Sequence, residues 1–309
     1  MSLLLIAPNR DMNPLKEALL EVDSSLDVEL WPKVEKRERV NFAVSWKHPK
    51  NGLGDYPNLK AVSSLGAGVN HLLEDKNIPE TVKLCRVITT SLQSQMADYV
   101  MNAITNYRLH TFLYHDQKKV GEWQVYESIQ KQDCTVGIMG LGEMGKTTAQ
   151  FLAENEYAVN GWSNSKKHIN GVTSFSGKDE LNDFLSSSNI LVCLLPLTEV
   201  TEGILDLGTF KTLKTPAYLI NVGRGGHLVE EDLIYALDTN TLAGACLDVF
   251  EKEPLPANHV FWNRPNIMIT PHVASITPAK EAAAIIVENY KRALSGMDLI
   301  NEVSREKGY

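Results

Sequence analysis

Residues 134–148, CTVGIMGLGEMGKTT, decide how the rest of the chain is read. Residues 135–139 form a short apolar run fit for a buried parallel strand, and Gly140, Gly142 and Gly145 follow in the order G-x-G-x-x-G. Beyond them Thr148, Phe151 and Leu152 recur at helical spacing, so the glycines fall between a strand and a helix. In that context Gly140 makes a tight turn, Gly142 lets the backbone approach a pyrophosphate, and Gly145 lets helix and strand pack closely. The helix N-terminus then faces the phosphates, which makes Gly140, Leu141, Gly142, Glu143, Met144 and Gly145 the first candidate dinucleotide-binding residues.

At 309 residues the chain is longer than one compact domain usually runs, and its 43% hydrophobic content is that of a soluble globular protein. A net charge of −8 with interspersed Lys and Arg offers no basic stripe, so nucleic acid is not an expected partner. No stretch approaches the about eighteen apolar residues of a membrane span, and residues 3–7 are too short for a signal segment. Cys85, Cys134, Cys193 and Cys246 are widely spaced with no C-x-x-C pair, which reads as buried thiols in a reducing cytoplasm. No metal site is assigned.

On both sides of the opening stretch, strands and helices alternate. Residues 3–7, 28–31, 42–46 and 59–65 read as strands, and residues 13–22 read as a helix opened by Asn13 and Pro14. The strand at 59–65 ends on Gly66-Ala67-Gly68. Residues 93–119 hold no Gly or Pro and carry Met96, Val100, Ile104 and Tyr107 on one side, which predicts a single long connecting helix. Further strands are expected at 159–162, 190–195, 217–221, 243–249 and 267–270, with helices at 179–185 and 230–237. A last helix over 279–294, capped by Thr277 and Pro278, returns to the first domain. Such alternation implies parallel sheets covered on both faces. The expected architecture is α/β with two Rossmann-like domains: a dinucleotide-binding domain over 98–275, inside a discontinuous domain of 1–97 and 276–309.

An NAD site usually places an acidic residue at the tip of the second strand, about twenty residues beyond the glycines. Here that tip reads Trp162-Ser163-Asn164-Ser165-Lys166-Lys167, with no carboxylate. Hydroxyls, an amide and an ammonium group accommodate a 2′-phosphate that an acid would repel. NADP is therefore expected over NAD.

Three apolar runs end in polar residues: Asn221-Val222-Gly223-Arg224-Gly225, Asp248-Val249-Phe250-Glu251-Lys252-Glu253-Pro254, and Pro271-His272-Val273-Ala274-Ser275. With the G-x-G-x-x-G, the N-x-x-R-G, D-V-F-x-x-E-P and P-H-x-A-S patterns stand in the order found in the D-isomer-specific 2-hydroxyacid dehydrogenase family, which the whole chain resembles. Trp46, Gly66-Ala67-Gly68, Gln95-Met96 and the acid-free tip resemble its glyoxylate/hydroxypyruvate reductase A subgroup, with departures at Asn70 and at Met96-Ala97-Asp98. The resemblance implies a flavodoxin-like substrate domain, a homodimer built through the coenzyme domain, and a catalytic set of Arg224, Glu253 and His272.

The chemistry of those residues agrees with that set. Reduction of a 2-oxo acid needs a carboxylate anchor, polarisation of the ketone, a proton for the new hydroxyl, and a nicotinamide near the carbonyl carbon. The fixed fork of Arg224 can bridge carboxylate and ketone oxygen, His272 can donate the proton, and Glu253 can favour its imidazolium form. Asp248 is expected to hold the nicotinamide amide, Leu195-Pro196 to line the adenosine side, and Met96, Val222 and Gly223 to complete the coenzyme site. Glycine N–H groups at Gly66-Ala67-Gly68 suit a substrate carboxylate, and Trp46 can close over a small substrate. The expectation is an NADP-preferring reductase of glyoxylate, hydroxypyruvate and similar 2-oxo acids. Its rivals are an NAD-dependent 2-hydroxyacid dehydrogenase working oxidatively and a non-catalytic dinucleotide sensor.

Overall fold

The computed structural model describes residues 1–50 and 52–308. It divides into two compact units, Met1–Leu92 with Ile276–Tyr309, and Gln93–Ser275.

The first unit holds strands β1 (Ser2–Ile6), β2 (Val28–Leu30), β3 (Val40–Ser45), β4 (Ala61–Ser64) and β5 (Lys83–Arg86), with helices α1 (Asn13–Val22) and α2 (Asn70–Leu73). The sheet order is β2-β1-β3-β4-β5, and every pairing is parallel. This is the flavodoxin-like order. β1 and β3 are buried along their whole length because both faces are covered, which is why they read as unbroken apolar runs. α3 (Thr90–Arg108) starts in this unit and continues into the second.

Within the second unit lie the rest of α3, α4 (Thr111–Val120), β6 (Thr135–Met139), α5 (Glu143–Glu154), β7 (Ala158–Ser163), β8 (Val172–Ser176) and α6 (Leu181–Ser186). They are followed by β9 (Ile190–Cys193), α7 (Leu207–Thr212), β10 (Ala217–Asn221), α8 (Glu230–Asp238), β11 (Leu242–Leu247) and β12 (Ile267–Ile269). The seven strands run parallel in the order β12-β11-β10-β9-β6-β7-β8. Strand order reverses between β6 and β9, and the glycine turn leaves β6 at that switch point, where such sheets bind ligands. Helix α9 (Ala279–Ser295) then packs on α1 in the first unit, burying Ala282, Ala283, Ile286 and Val287.

Several local expectations are corrected. The segment 93–119 is two helices, because His110 takes a left-handed conformation with φ +53°. Arg108 Nε donates to the Ile129 carbonyl and the His110 ring meets the Glu127 carbonyl, so partners 21 and 17 residues downstream turn a chain that lacks Gly and Pro. Asn13 is the first helical residue rather than the cap, and its amide donates to Asp11 instead. Pro278, not Thr277, precedes α9, with no side-chain cap. β5, β8 and α7 have no counterpart in the sequence reading.

The core of the second unit is built on fully buried Phe184, against which Trp162 and Phe175 lie at ring-centroid distances of 6.5 and 5.9 Å. A large aromatic so enclosed leaves a cavity when truncated. Phe184→Ala should cost about 3–5 kcal/mol, measured as a lowered midpoint in urea with an unchanged m-value.

Candidate active site

The glycine turn is shaped by backbone contact. Gly140 has φ +101°, and its N–H donates to the Trp162 carbonyl at 2.8 Å. A Cβ on Gly145 would stand 1.8 Å from the Gly140 carbonyl oxygen, so only glycine lets α5 lie against the strand end. A Cβ on Gly142, by contrast, would meet nothing within 4 Å, and no side chain caps α5. An open approach to uncapped first-turn N–H groups fits a pyrophosphate.

Other candidate coenzyme residues divide by where their side chains lie. The indole of Trp162 is in the core and donates to the Gly177 carbonyl at 2.8 Å. Leu141 packs on Gly161, and Met96, Leu195 and Val222 are buried. Met144 packs partly buried against the cluster that holds Met96, Leu141 and Val222, while Glu143 is exposed and meets Gln93. Gly223 N–H donates to the Asn221 side chain, and the Pro196 carbonyl accepts from Thr201.

At the β7 tip Ser163 donates to the Ser165 carbonyl, Asn164 is exposed, and Lys166 reaches Glu180 at 3.3 Å. Glu180 is an acid the sequence reading did not bring here. It is held below its ordinary carboxylate range by the Ser176 N–H, with Lys166 adding to the effect. That ion pair is exposed, and exposed pairs of this kind hold their partners weakly. Beside it lies a hollow of about 410 Å³ lined by Lys166, Lys167, His168 and Ser174.

Arg224, Asp248, Glu253 and His272 are gathered by β10, β11 and β12. Asn221, Leu247 and Ile269 are register partners, so the three following turns leave the sheet side by side. A Cβ on Gly225 would come within 1.9 Å of the Phe250 carbonyl carbon, so the Arg224 turn lies directly on the backbone that leads to Glu253. Glu253 accepts from the Phe250 N–H at 3.1 Å and contacts His272 Nδ1 at 2.9 Å. Both partners are largely but not wholly shielded, with side chains 19% and 25% exposed. Asp248 is buried and accepts from Thr270 Oγ1, Val273 N–H and Ala274 N–H at 2.6, 2.8 and 2.9 Å. A carboxylate offers about four acceptor positions, so these three bonds leave room for an amide donor.

His227 is fully buried beneath the Arg224 turn. Its Nδ1 lies 3.0 Å from the Arg224 N–H and 3.1 Å from the Arg224 carbonyl. Burial, reinforced by the nearby guanidinium, pushes its pKa down to about 4.

In the first unit a Cβ on Gly66 would stand 3.4 Å from Trp46 Cζ3, so Trp46 and the Gly66-Ala67-Gly68 turn adjoin. The Gly68 and Ala67 carbonyls are taken by Ser64 Oγ and Arg86, whereas the Ala67 and Gly68 N–H groups meet no acceptor among the described residues. Arg10 stacks on Trp46 at 4.4 Å, and the buried cluster Ser45, His48 and Asp75 pins the segment that carries it.

The fold and the glycine turn define a dinucleotide-binding α/β protein. Residues 101–274 match the family described as D-isomer specific 2-hydroxyacid dehydrogenase, NAD binding domain. The chain belongs to the D-isomer specific 2-hydroxyacid dehydrogenase family. A glyoxylate/hydroxypyruvate reductase A from Photorhabdus laumondii is 38% identical over 290 residues, covering 92% of each chain. Among solved structures, a D-isomer specific 2-hydroxyacid dehydrogenase from Xanthobacter autotrophicus Py2 in complex with NADPH superimposes with a TM-score of 0.94 at 34% identity, covering 100% of this chain and 99% of that one. An NADPH-dependent glyoxylate/hydroxypyruvate reductase from Sinorhizobium meliloti in complex with NADP and sulfate gives 0.93 at 33% identity, covering 100% of both.

A neutral buried histidine makes the Arg224 turn acid-sensitive. Between its ordinary value of 6.5 and about 4, the unfolded chain binds a proton on His227 that the folded one does not, so stability falls as pH is lowered through that window. At about 1.4 kcal/mol per pH unit the loss is on the order of 3 kcal/mol. Denaturant titrations from pH 7 to 4 should show this fall in the wild type and a shallower one in His227→Asn, which keeps an acceptor for the Arg224 N–H. Equal slopes would refute the account.

Proposed function

We propose that the protein is an NADP-preferring reductase that converts small 2-oxo acids, with glyoxylate and hydroxypyruvate the leading substrates, to D-2-hydroxy acids. The observation that carries this reading is the His272–Glu253 pair in the same strand-end cluster as the Arg224 turn. Arg224 binds the substrate carboxylate and draws electron density from the ketone through its guanidinium fork. Glu253 engages His272 Nδ1 and orients the ring, so proton delivery to the new hydroxyl falls to Nε2. The bound coenzyme supplies the hydride that the carbonyl carbon receives. Within the first unit, the Ala67 and Gly68 N–H groups are donors suited to an anion such as a carboxylate, with Trp46 beside their turn.

The preference for NADP is supported by the acid-free tip, by the weak hold of Glu180 on Lys166, and by the coenzymes named with the two relatives above. Absorbance assays across a panel of 2-oxo acids should show faster turnover with NADPH than with NADH at equal concentration. Arg224→Ala should lower kcat/KM by about 100- to 1000-fold, and His272→Gln should abolish proton delivery while leaving coenzyme binding intact. A sample that binds NADPH and reduces no 2-oxo acid would refute the reading.

The protein functions as a homodimer in the cytoplasm. Four buried reduced cysteines fit a reducing compartment, and no helix among the described residues is long and apolar enough to cross a membrane. Val120, Trp123 and Val125, at the end of α4 and beyond it, are 75%, 96% and 81% exposed. Large apolar side chains so openly exposed within a few residues of one another in the chain suit an association surface, and the occupant is a second copy of this chain. Trp123→Asp should weaken the dimer by about 2 kcal/mol or more, the scale of an interface hot spot, which sedimentation would report as a shift toward monomer.

A further inference from the structure

His272 has φ +58°. A non-glycine residue is uncommon there and holds the position only where its surroundings over-determine it. Asp248 holds this segment at three points. The Asp248 carbonyl accepts the His272 N–H at 2.8 Å, and the Asp248 carboxylate takes the next two backbone N–H groups.

The third donor to that carboxylate leads outward. Thr270 Oγ1 lies 2.6 Å from Asp248 Oδ1 and 2.5 Å from the hydroxyl of Tyr99, on α3. A carboxylate can only accept, so the Thr270 proton points to Asp248 and its oxygen must accept from Tyr99. The direction of the chain is thereby set: Tyr99 O–H to Thr270, Thr270 O–H to Asp248. Burial pushes the Tyr99 phenol far above its ordinary value, so it remains a donor. The Cys246 thiol, 3.3 Å from the phenol oxygen, is raised by burial to about 12 and brings no charge to the network.

We propose that Tyr99 and Thr270 are positioning residues for the proton donor, fixing the Asp248 carboxylate that in turn fixes the His272 backbone. This rests on the reading of His272 given above. Neither hydroxyl need touch substrate, since each acts through the next member of the chain.

The test compares full-length Thr270→Val, Thr270→Ser, Tyr99→Phe and His272→Gln with wild type, using NADPH and glyoxylate. Thr270→Val should lower kcat about 10- to 100-fold, the cost of a small misplacement of a reacting group. KM for glyoxylate and the Tm should stay near wild type, and the solvent deuterium isotope effect on kcat should grow as proton delivery becomes limiting. Thr270→Ser should restore kcat, and Tyr99→Phe should show the same pattern more weakly. Wild-type kcat in both hydroxyl-deletion variants overturns the proposal while a dead His272→Gln leaves the reading of that residue standing. A joint fall of kcat, substrate affinity and Tm without rescue by serine also overturns it, because that is a folding defect. Should His272→Gln stay fully active, the proton-donor reading fails and the proposal falls with it.

Discussion

Parallel strands in register end at one level, and this constraint carries the candidate site. Asn221, Leu247 and Ile269 stand side by side on β10, β11 and β12, so the turns that follow them start together although they lie far apart in the chain. An antiparallel arrangement would send alternate turns to opposite edges. The remaining freedom is removed at Gly225, where the absence of a Cβ lets one turn rest on the backbone of the next.

Around that junction, identical residue types are given different tasks by their surroundings. Asp248 is buried and spends its oxygens on backbone N–H groups and a hydroxyl, so it shapes the chain. Glu253 is partly exposed and meets an imidazole instead. The two histidines divide in the same way. His227 is kept neutral by burial and supports the Arg224 turn from beneath, whereas His272 is paired with a carboxylate near the surface. Environment, more than residue identity, separates the roles of such pairs.

What could be read from the sequence was local. β6 is an unbroken apolar run because both faces of its sheet are covered, and Gly145 after it answers to the Gly140 carbonyl in the same turn. The apolar face of α3 was equally visible, since Met96, Val100 and Ile104 recur at helical spacing and are all buried. β5 and β8 were hidden because their residues mix charged or polar side chains with apolar ones, as expected near a sheet edge. The direction of the Trp162 indole was hidden too. A tryptophan at a strand tip reads alike whether it faces a ligand or, as here, the core around Phe184.

The sequence by itself determined the class of fold and the shape of the glycine turn, because hydrophobic period and the steric demands of glycine act over a few residues. Tertiary structure alone decided the break at His110, the partnership of Lys166 with Glu180, the place of His227 under Arg224, and the hydroxyl chain from Tyr99 to Asp248. Each of these is a hydrogen bond or ion pair whose direction and energy depend on an atom brought close by folding. No periodicity encodes such a neighbour, so only the packed chain could supply it.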